Sequence, residues 1–127
     1  MNKIIIFGSG GHARSCADVI DLEKKYKIVG VVDNFDQKNG LDYPMIGTDK
    51  DLDKIKKKFT NAFIGIGQIK NNKIRKSLYN KLKVNGFKFP TIKSPKAYIS
   101  KKSKIGEGTI IMHGVFVGPN VEIGNNC

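Results

Sequence analysis

The chain has 127 residues, 39% of them apolar and 9% aromatic with no Trp, and 23 Lys and Arg against 11 Asp and Glu give a formal charge of +12. That length allows one domain of ordinary size or two small ones around a modest core. A charge excess of this size is one mark of a nucleic-acid surface. Here the lysines are spread over predicted helix faces, turns and the C-terminal repeat. The densest run, Lys54 to Lys58, is broken by Ile55, and no aromatic stacking pattern accompanies it. The reading is therefore no nucleic acid, but a mild attraction for anionic small molecules. Cys16 and Cys127 form neither a metal-ligand spacing nor a disulfide framework. No metal is expected, and a reducing, cytoplasmic location is. The apolar run Ile4 to Phe7 is too short for a secretory signal, and no later segment is apolar enough to span a membrane.

Residues 3–8, KIIIFG, are a continuous apolar run ended by glycine, which predicts a buried parallel strand. Residues 11–25 carry Ala13, Cys16, Ala17, Val19 and Ile20 as the apolar stripe of a helix, with Cys16 a packing residue. Residues 28–33, IVGVVD, predict a second buried strand, completing a strand–helix–strand unit. Residues 34–48 are read as a loop containing Asn39-Gly40 and Pro44. Thr48 or Asp49 can then cap a helix to about Lys58. A third strand is predicted over 61–67 and a helix over 71–85, with Ile74, Leu78 and Leu82 on one face and Gly86 just past its end. Residues 87–92 are expected to form a fourth strand, and Ser94-Pro95 a hinge.

From Ile99 the period changes to six. The first column reads Ile99, Ile105, Ile111, Val117, Ile123; the second Ser100, Gly106, Met112, Gly118, Gly124; the fifth Ser103, Thr109, Val115, Val121, Cys127. Six-residue rows of one short strand and one corner build a triangular coil, and stacked coils make three parallel sheets. The first and fifth columns are expected to point inward. The second is expected near a corner, where glycine relieves backbone strain. A few ordinary strands would not place two further columns in phase with the aliphatic one.

Between the first strand and helix lies Gly8-Ser9-Gly10-Gly11-His12-Ala13, in which Gly8, Gly10 and Ala13 fit G-x-G-x-x-[GA]. Asp33 follows Ala13 by 20 residues, at the end of the second strand. Glycines let a backbone approach a pyrophosphate, the helix N-terminus supplies N–H groups and a positive dipole, and the acid takes a ribose hydroxyl or base edge. The alternative is a tight turn with no ligand. If the loop is a site, its ligand is NAD or a nucleotide-activated or acidic sugar. About four strands before Pro90 make half of a doubled dinucleotide fold, which disfavours NAD. His12 either donates to a phosphate or sugar group or faces water. Gly65-Ile66-Gly67 ends the third strand on the same sheet edge, and Arg75 is either an anion partner or solvated on its helix.

Together these pieces resemble the NeuD/PglD-like sugar acetyltransferases, which comprise sialic acid O-acetyltransferases and N-acetyltransferases of UDP-amino sugars. The matching stretches, in family order, are IIIFGSGGHA at the start, VVDN at 31–34, YPMIGTDKDL at 43–52, FIGIG at 63–67, NNKIRKSLYNKL at 71–82, and TIKSPKAYIS leading into the hexads. The resemblance implies an α/β fold: a small Rossmann-like parallel-sheet domain over 1–94 followed by the first coils of a left-handed parallel β-helix over 95–127. It implies acetyl-CoA as acyl donor, a homotrimer once the β-helix is completed, and a role in bacterial surface-glycan biosynthesis. Carried over by position, substrate contacts fall at Gly8, Ser9, Gly10, Gly11 and His12, with Asp33 and Asn34 at the nucleotide end and Gly65 and Gly67 lining the pocket.

In this family a histidine followed by an acid, in a later coil, takes the proton of the attacking amine or hydroxyl. This sequence has no such pair: His12 precedes Ala13, and His113 precedes Gly114. His113 is expected to be an exposed, non-catalytic corner residue, so no catalytic residue is assigned. Rows from Ile99 onward supply fewer than two coils, where a solenoid wants about three units. The expectation is an N-terminal fragment or truncated product with little or no turnover of its own. The competing readings are a non-catalytic nucleotide-sugar-binding module and a dehydrogenase fragment.

Overall fold

The computed structural model describes residues 2–8, 10–33, 43–66 and 73–127, with Asp49 described in its backbone only. Strand β1 (Asn2–Phe7) leads to helix α1 (Gly11–Glu23) and strand β2 (Tyr26–Val32). Strand β3 (Met45–Gly47), a 3₁₀ turn (Asp49–Asp51) and helix α2 (Leu52–Lys58) follow, then β4 (Ala62–Ile64) and α3 (Lys73–Val84). The strands form one parallel sheet in the order β3-β2-β1-β4. Central β1 is covered on both faces: Ile4, Ile5 and Ile6 are fully buried. Each such side chain contributes on the order of 2–3 kcal/mol by leaving water. Ile4 and Ile6 pack against Ala13, Cys16, Ala17 and Ile20 of α1, while Ile5 and Phe7 pack against Leu52 and Ile55 of α2 and Leu82 of α3.

Helix α1 stops at Lys24, which adopts a left-handed conformation (φ 62°). Before α2, Thr48 and Asp51 form a capping box: the Lys50 N–H donates to Thr48 Oγ1 at 3.3 Å, and the Thr48 N–H donates to Asp51 Oδ2 at 3.0 Å. The buried face of α3 keeps Leu78 and Leu82 of the expected stripe but not Ile74. Ile74 is 71% exposed, and Arg75 takes the buried position above Leu82.

The fourth sheet strand is β3, within the segment read as a loop. Three half-buried or exposed residues give no alternation to read. Residues 87–92 do not join the sheet as a strand. Phe87 and Phe89 point into the core and Lys88 makes one parallel bridge to Asn61. Pro90, which has no N–H, cannot continue the ladder.

Strands β5 (Ile92–Lys93), β6 (Tyr98–Ile99) and β7 (Lys104–Ile105) then form one coil, and β8 (Ile110–Ile111), β9 (Phe116–Val117) and β10 (Glu122–Ile123) the next. They pair in parallel as three two-stranded sheets, with Ile92 on Ile110, Tyr98 on Phe116 and Lys104 on Glu122. Each partner lies 18 residues, or three hexads, further on, as in the early coils of a left-handed β-helix. There are two coils, one row more than the count from Ile99. The first row is hidden in the sequence because exposed Lys93 stands in its aliphatic column. Ser94 is no hinge: it is 3% exposed, and its N–H donates to Ile111 O at 2.9 Å.

The corner residues also differ from expectation. Left-handed backbone recurs at Gly108, Gly114, Asn120 and Asn126 (φ 68°, 79°, 64° and 56°), which is the fourth column. Glycine and asparagine are the residues that tolerate it. The second-column glycine serves a different need. A Cβ on Gly106 would lie 2.6 Å from the Gly124 backbone, so this glycine lets the two coils touch. Of the fifth column, Thr109 is buried, whereas Val115 and Val121 of the second coil are 38% and 40% exposed.

The coils are welded to the sheet domain. Ile92 and Ile110 belong to the α1 core. The Lys93 N–H donates to Glu23 Oε2 at 3.2 Å. Lys83 and Tyr79 of α3 both donate to Glu107 and hold its carboxyl below the ordinary range.

Candidate functional site

The glycine turn sits at the carboxyl end of β1. From β1 the chain moves to β2 and β3 on one side, then crosses to β4 on the other. The crevice outside β1 and β4 is thus the switch point at which open α/β sheets bind ligands. Gly8 has φ 114°, and a Cβ there would meet Gly65 O at 3.1 Å. A Cβ on Gly65 would meet Ile6 Cγ2 at 3.0 Å and Ala13 Cβ at 3.1 Å. The two glycines and Ala13 therefore let α1 lie close on β1 and β4, a packing need that holds with or without ligand.

Gly10 and Gly11 differ. Gly10 is the N-cap of α1 and has no side chain to cap it; among the described residues nothing would lie within 4 Å of a Cβ there, and beside Gly11 only Arg14 Nη2 comes near, at 3.9 Å. The first turn of α1 carries no acidic residue. An uncapped helix start with open approach presents N–H groups and positive dipole to an anion. Asp33 is brought to the same edge, half-buried after β2, its N–H donating to Gly47 O at 3.3 Å. Ser9, Asn34 and Gly67 lie outside the described residues.

His12 is half-buried at the start of α1. Its Nε2 lies 3.5 Å from Cys16 Sγ, one helical turn on. Burial, and then the Arg75 charge, lower its pKa and keep the ring neutral. Burial pushes the Cys16 thiol up to about 12, so it is an inert packing group. Arg75, from the first turn of α3, is buried close enough for its charge to act on both. The sequence raised it as an anion partner or a solvated residue, and it is not solvated.

His113 bridges the two parts of the chain. Its Nε2 lies 2.9 Å from Asp18 Oδ2 on α1, and its Nδ1 meets the Ser94 hydroxyl. The imidazole side chain is 34% exposed and lines an open cleft of about 610 Å³ with Gly11, Arg14, Ser15, Asp18 and Met112. A histidine pinned by two partners was not legible from its column in the repeat. Among the described residues, no group of three His, Cys, Asp or Glu is placed to hold a metal, and no helix is long and apolar enough to cross a membrane.

A four-stranded parallel sheet with a glycine turn at its switch point, welded to hexapeptide coils, defines a Rossmann-like sheet unit carried on a hexapeptide-repeat β-helix. The chain belongs to the PglD N-terminal domain family, whose model matches residues 3–82, and the bacterial transferase hexapeptide (six repeats) matches residues 102–127. It is 29% identical over 113 residues to UDP-N-acetylbacillosamine N-acetyltransferase of Bacillus subtilis (strain 168), covering 88% of this chain and 52% of that protein. Among solved structures it is similar to PerB from Caulobacter crescentus in complex with CoA and GDP-perosamine (27% identity, TM-score 0.86, 98% of this chain and 58% of that one). It is also similar to the acetyltransferase domain of PglB from Neisseria gonorrhoeae FA1090 in complex with acetyl coenzyme A (26% identity, TM-score 0.87, 99% and 60%). The chain thus spans a little over half the length of these relatives.

Proposed function

We propose that this chain is the substrate-binding part of an acetyl-CoA-dependent acetyltransferase that acts on a nucleotide-activated or acidic sugar for surface-glycan synthesis in the cytoplasm. The observation that carries the reading is the open, uncapped start of α1 at the switch point, on a chain whose solved relatives hold CoA and a nucleotide sugar. In this reading the N–H groups from Ser9 to His12 receive phosphate oxygens. Asp33 and Asn34 hold the nucleoside end, and Gly8, Gly65 and Gly67 shape the floor. The sheet domain recognises the sugar, and the chain from Ile92 begins the β-helix. In the reaction the acceptor amine or hydroxyl attacks the thioester carbonyl, the C–S bond breaks and the CoA thiol leaves, and a base takes the acceptor's proton. His12 is ill placed to be that base, because it is turned toward Cys16 and the Arg75 charge. His113 is held between Asp18 and Ser94.

Isothermal calorimetry with UDP- and GDP-sugars tests the site. Micromolar binding is expected, weakened at least tenfold in Asp33→Ala, because a lost hydrogen bond to a charged group is worth roughly 1.5–3 kcal/mol. Absence of binding to every nucleotide sugar would sink the reading.

A homotrimer built through the β-helix goes with it. The rings of Tyr98 and Phe116 stack 5.0 Å apart on the β6–β9 face and are 58% and 73% exposed, an apolar ladder suited to a neighbouring copy. Analytical ultracentrifugation should find trimers that dissociate in Phe116→Ser. A wild-type monomer at all concentrations contradicts the assignment for this chain.

A further inference from the structure

Helix α3 leaves Ile74 in water, 71% exposed, and buries Arg75 next to it, 8% exposed. Burial of the charged residue in preference to its apolar neighbour runs against the hydrophobic effect. Among the described residues, the Arg75 Nε and Nη2 are buried and have no hydrogen-bond partner. A guanidinium has five donors and no acceptor and does not lose its charge. Dry, unpaired donors on a cation are costly, and buried polar groups in folded proteins are nearly always satisfied.

The surroundings indicate what would satisfy it. Its charge acts on His12 in the first turn of α1, whose start is uncapped. Beside it is a cavity of about 560 Å³ lined by Arg75 with Lys76, Tyr79, Asn80, Asn125, Asn126 and Cys127. Among the described residues, that lining has two cationic and three amide side chains and no acidic side chain.

We propose that Arg75 is an oxyanion-binding residue, its guanidinium receiving a phosphoryl or carboxylate group of the substrate at the crevice between the first turns of α1 and α3. This rests on the glycine-turn reading and adds a charged side chain to a site otherwise made of backbone. A guanidinium fork engages two oxygens at once and fixes orientation as well as charge. In the ligand-free protein it is a destabilising residue, and the bound anion offsets that cost.

The test uses Arg75→Met and Arg75→Lys with three probes: UDP, inorganic pyrophosphate and N-acetylneuraminate. Wild type should bind at least one of them, and Arg75→Met should bind it at least tenfold more weakly. Arg75→Lys should also lose affinity, because a single ammonium cannot form the fork. The ligand-free Arg75→Met protein should melt higher than wild type, the opposite of removing a structural residue. In wild type, NMR titration should show the His12 pKa rising when the probe binds, as the anion cancels the Arg75 charge. Binding of UDP and pyrophosphate without neuraminate assigns the anion as phosphoryl, and neuraminate alone assigns it as carboxylate. If wild type binds UDP and Arg75→Met binds it within twofold, this inference falls while the glycine-turn reading stands. If wild type binds none of the three, both fall.

Discussion

Gly65→Val is expected to destabilise the protein by about 3 kcal/mol, at the upper end for overpacking a closed core, and to remove nucleotide-sugar binding along with it. A Cβ at this position would already stand 3.0 Å from Ile6 Cγ2, 3.1 Å from Ala13 Cβ and 3.2 Å from Ala13 Cα. Ile6 and Ala13 are both fully buried, so neither can swing into solvent. The two further methyls of valine have room only if α1 lifts off β1 and β4. That lift moves the same N–H groups that face the crevice, so stability and binding should fall together. Gly65→Ala separates the two effects: it should fold, with a loss of about 1 kcal/mol, and bind more weakly than wild type. Urea unfolding with calorimetry on both variants checks this. A Gly65→Val protein with wild-type stability would show that α1 is not held where the structure puts it.

The sequence is most legible where one residue type answers one local demand. Ile4, Ile5 and Ile6 in a row specify a strand covered on both faces, and the glycines before Ala13 specify a close turn into a helix. Hexads specify stacked rows. Each is written in consecutive or strictly periodic positions. What escapes notice depends on neighbours far along the chain. Met45–Gly47 is a strand because β2 offers it an edge, with the Val31 N–H donating to Pro44 O at 2.9 Å. Lys93 hides the first row because the residue covered there is Ile92, which the α1 core claims. Periodicity on α3 counts Ile74 as apolar and therefore inward, and has no means of assigning the buried place to Arg75. The glycine turn shows the same division. Its sequence identifies a place where backbone is exposed, while the packing of Gly8 and Gly65 and the inward turn of His12 emerge only from the assembled sheet.

The coil stack offers the second large effect, at Gly106. A Cβ placed there would sit 2.1 Å from Asn125 Oδ1 and 2.6 Å from both C and O of Gly124. The last two are backbone atoms of the next coil and cannot rotate away. The same coil contact carries six hydrogen bonds: the Gly106 N–H to Ile123 O at 2.8 Å, the Glu107 N–H to Asn125 Oδ1 at 3.0 Å, the Asn126 N–H to Glu107 O at 2.7 Å, Thr109 Oγ1 to Gly124 O at 2.6 Å, the Ile110 N–H to Cys127 O at 2.9 Å, and the Cys127 N–H to Thr109 Oγ1 at 3.0 Å. Gly106→Ala must therefore open the contact. Loss of two or three of these bonds, at about 1 kcal/mol each, predicts a destabilisation of about 3 kcal/mol, concentrated in the coils. Gly114→Ala is the control for backbone strain alone. Its φ is 79° and among the described residues nothing would lie within 4 Å of its Cβ, so its cost should stay at about 1–2 kcal/mol. Amide hydrogen exchange resolves the location: in Gly106→Ala, protection should drop at Gly106, Glu107 and Ile110 while Ile5 and Ile6 of β1 keep theirs. Equal losses in the two variants would mean that glycine serves the second column through backbone freedom after all, and not through the approach of one coil to the next.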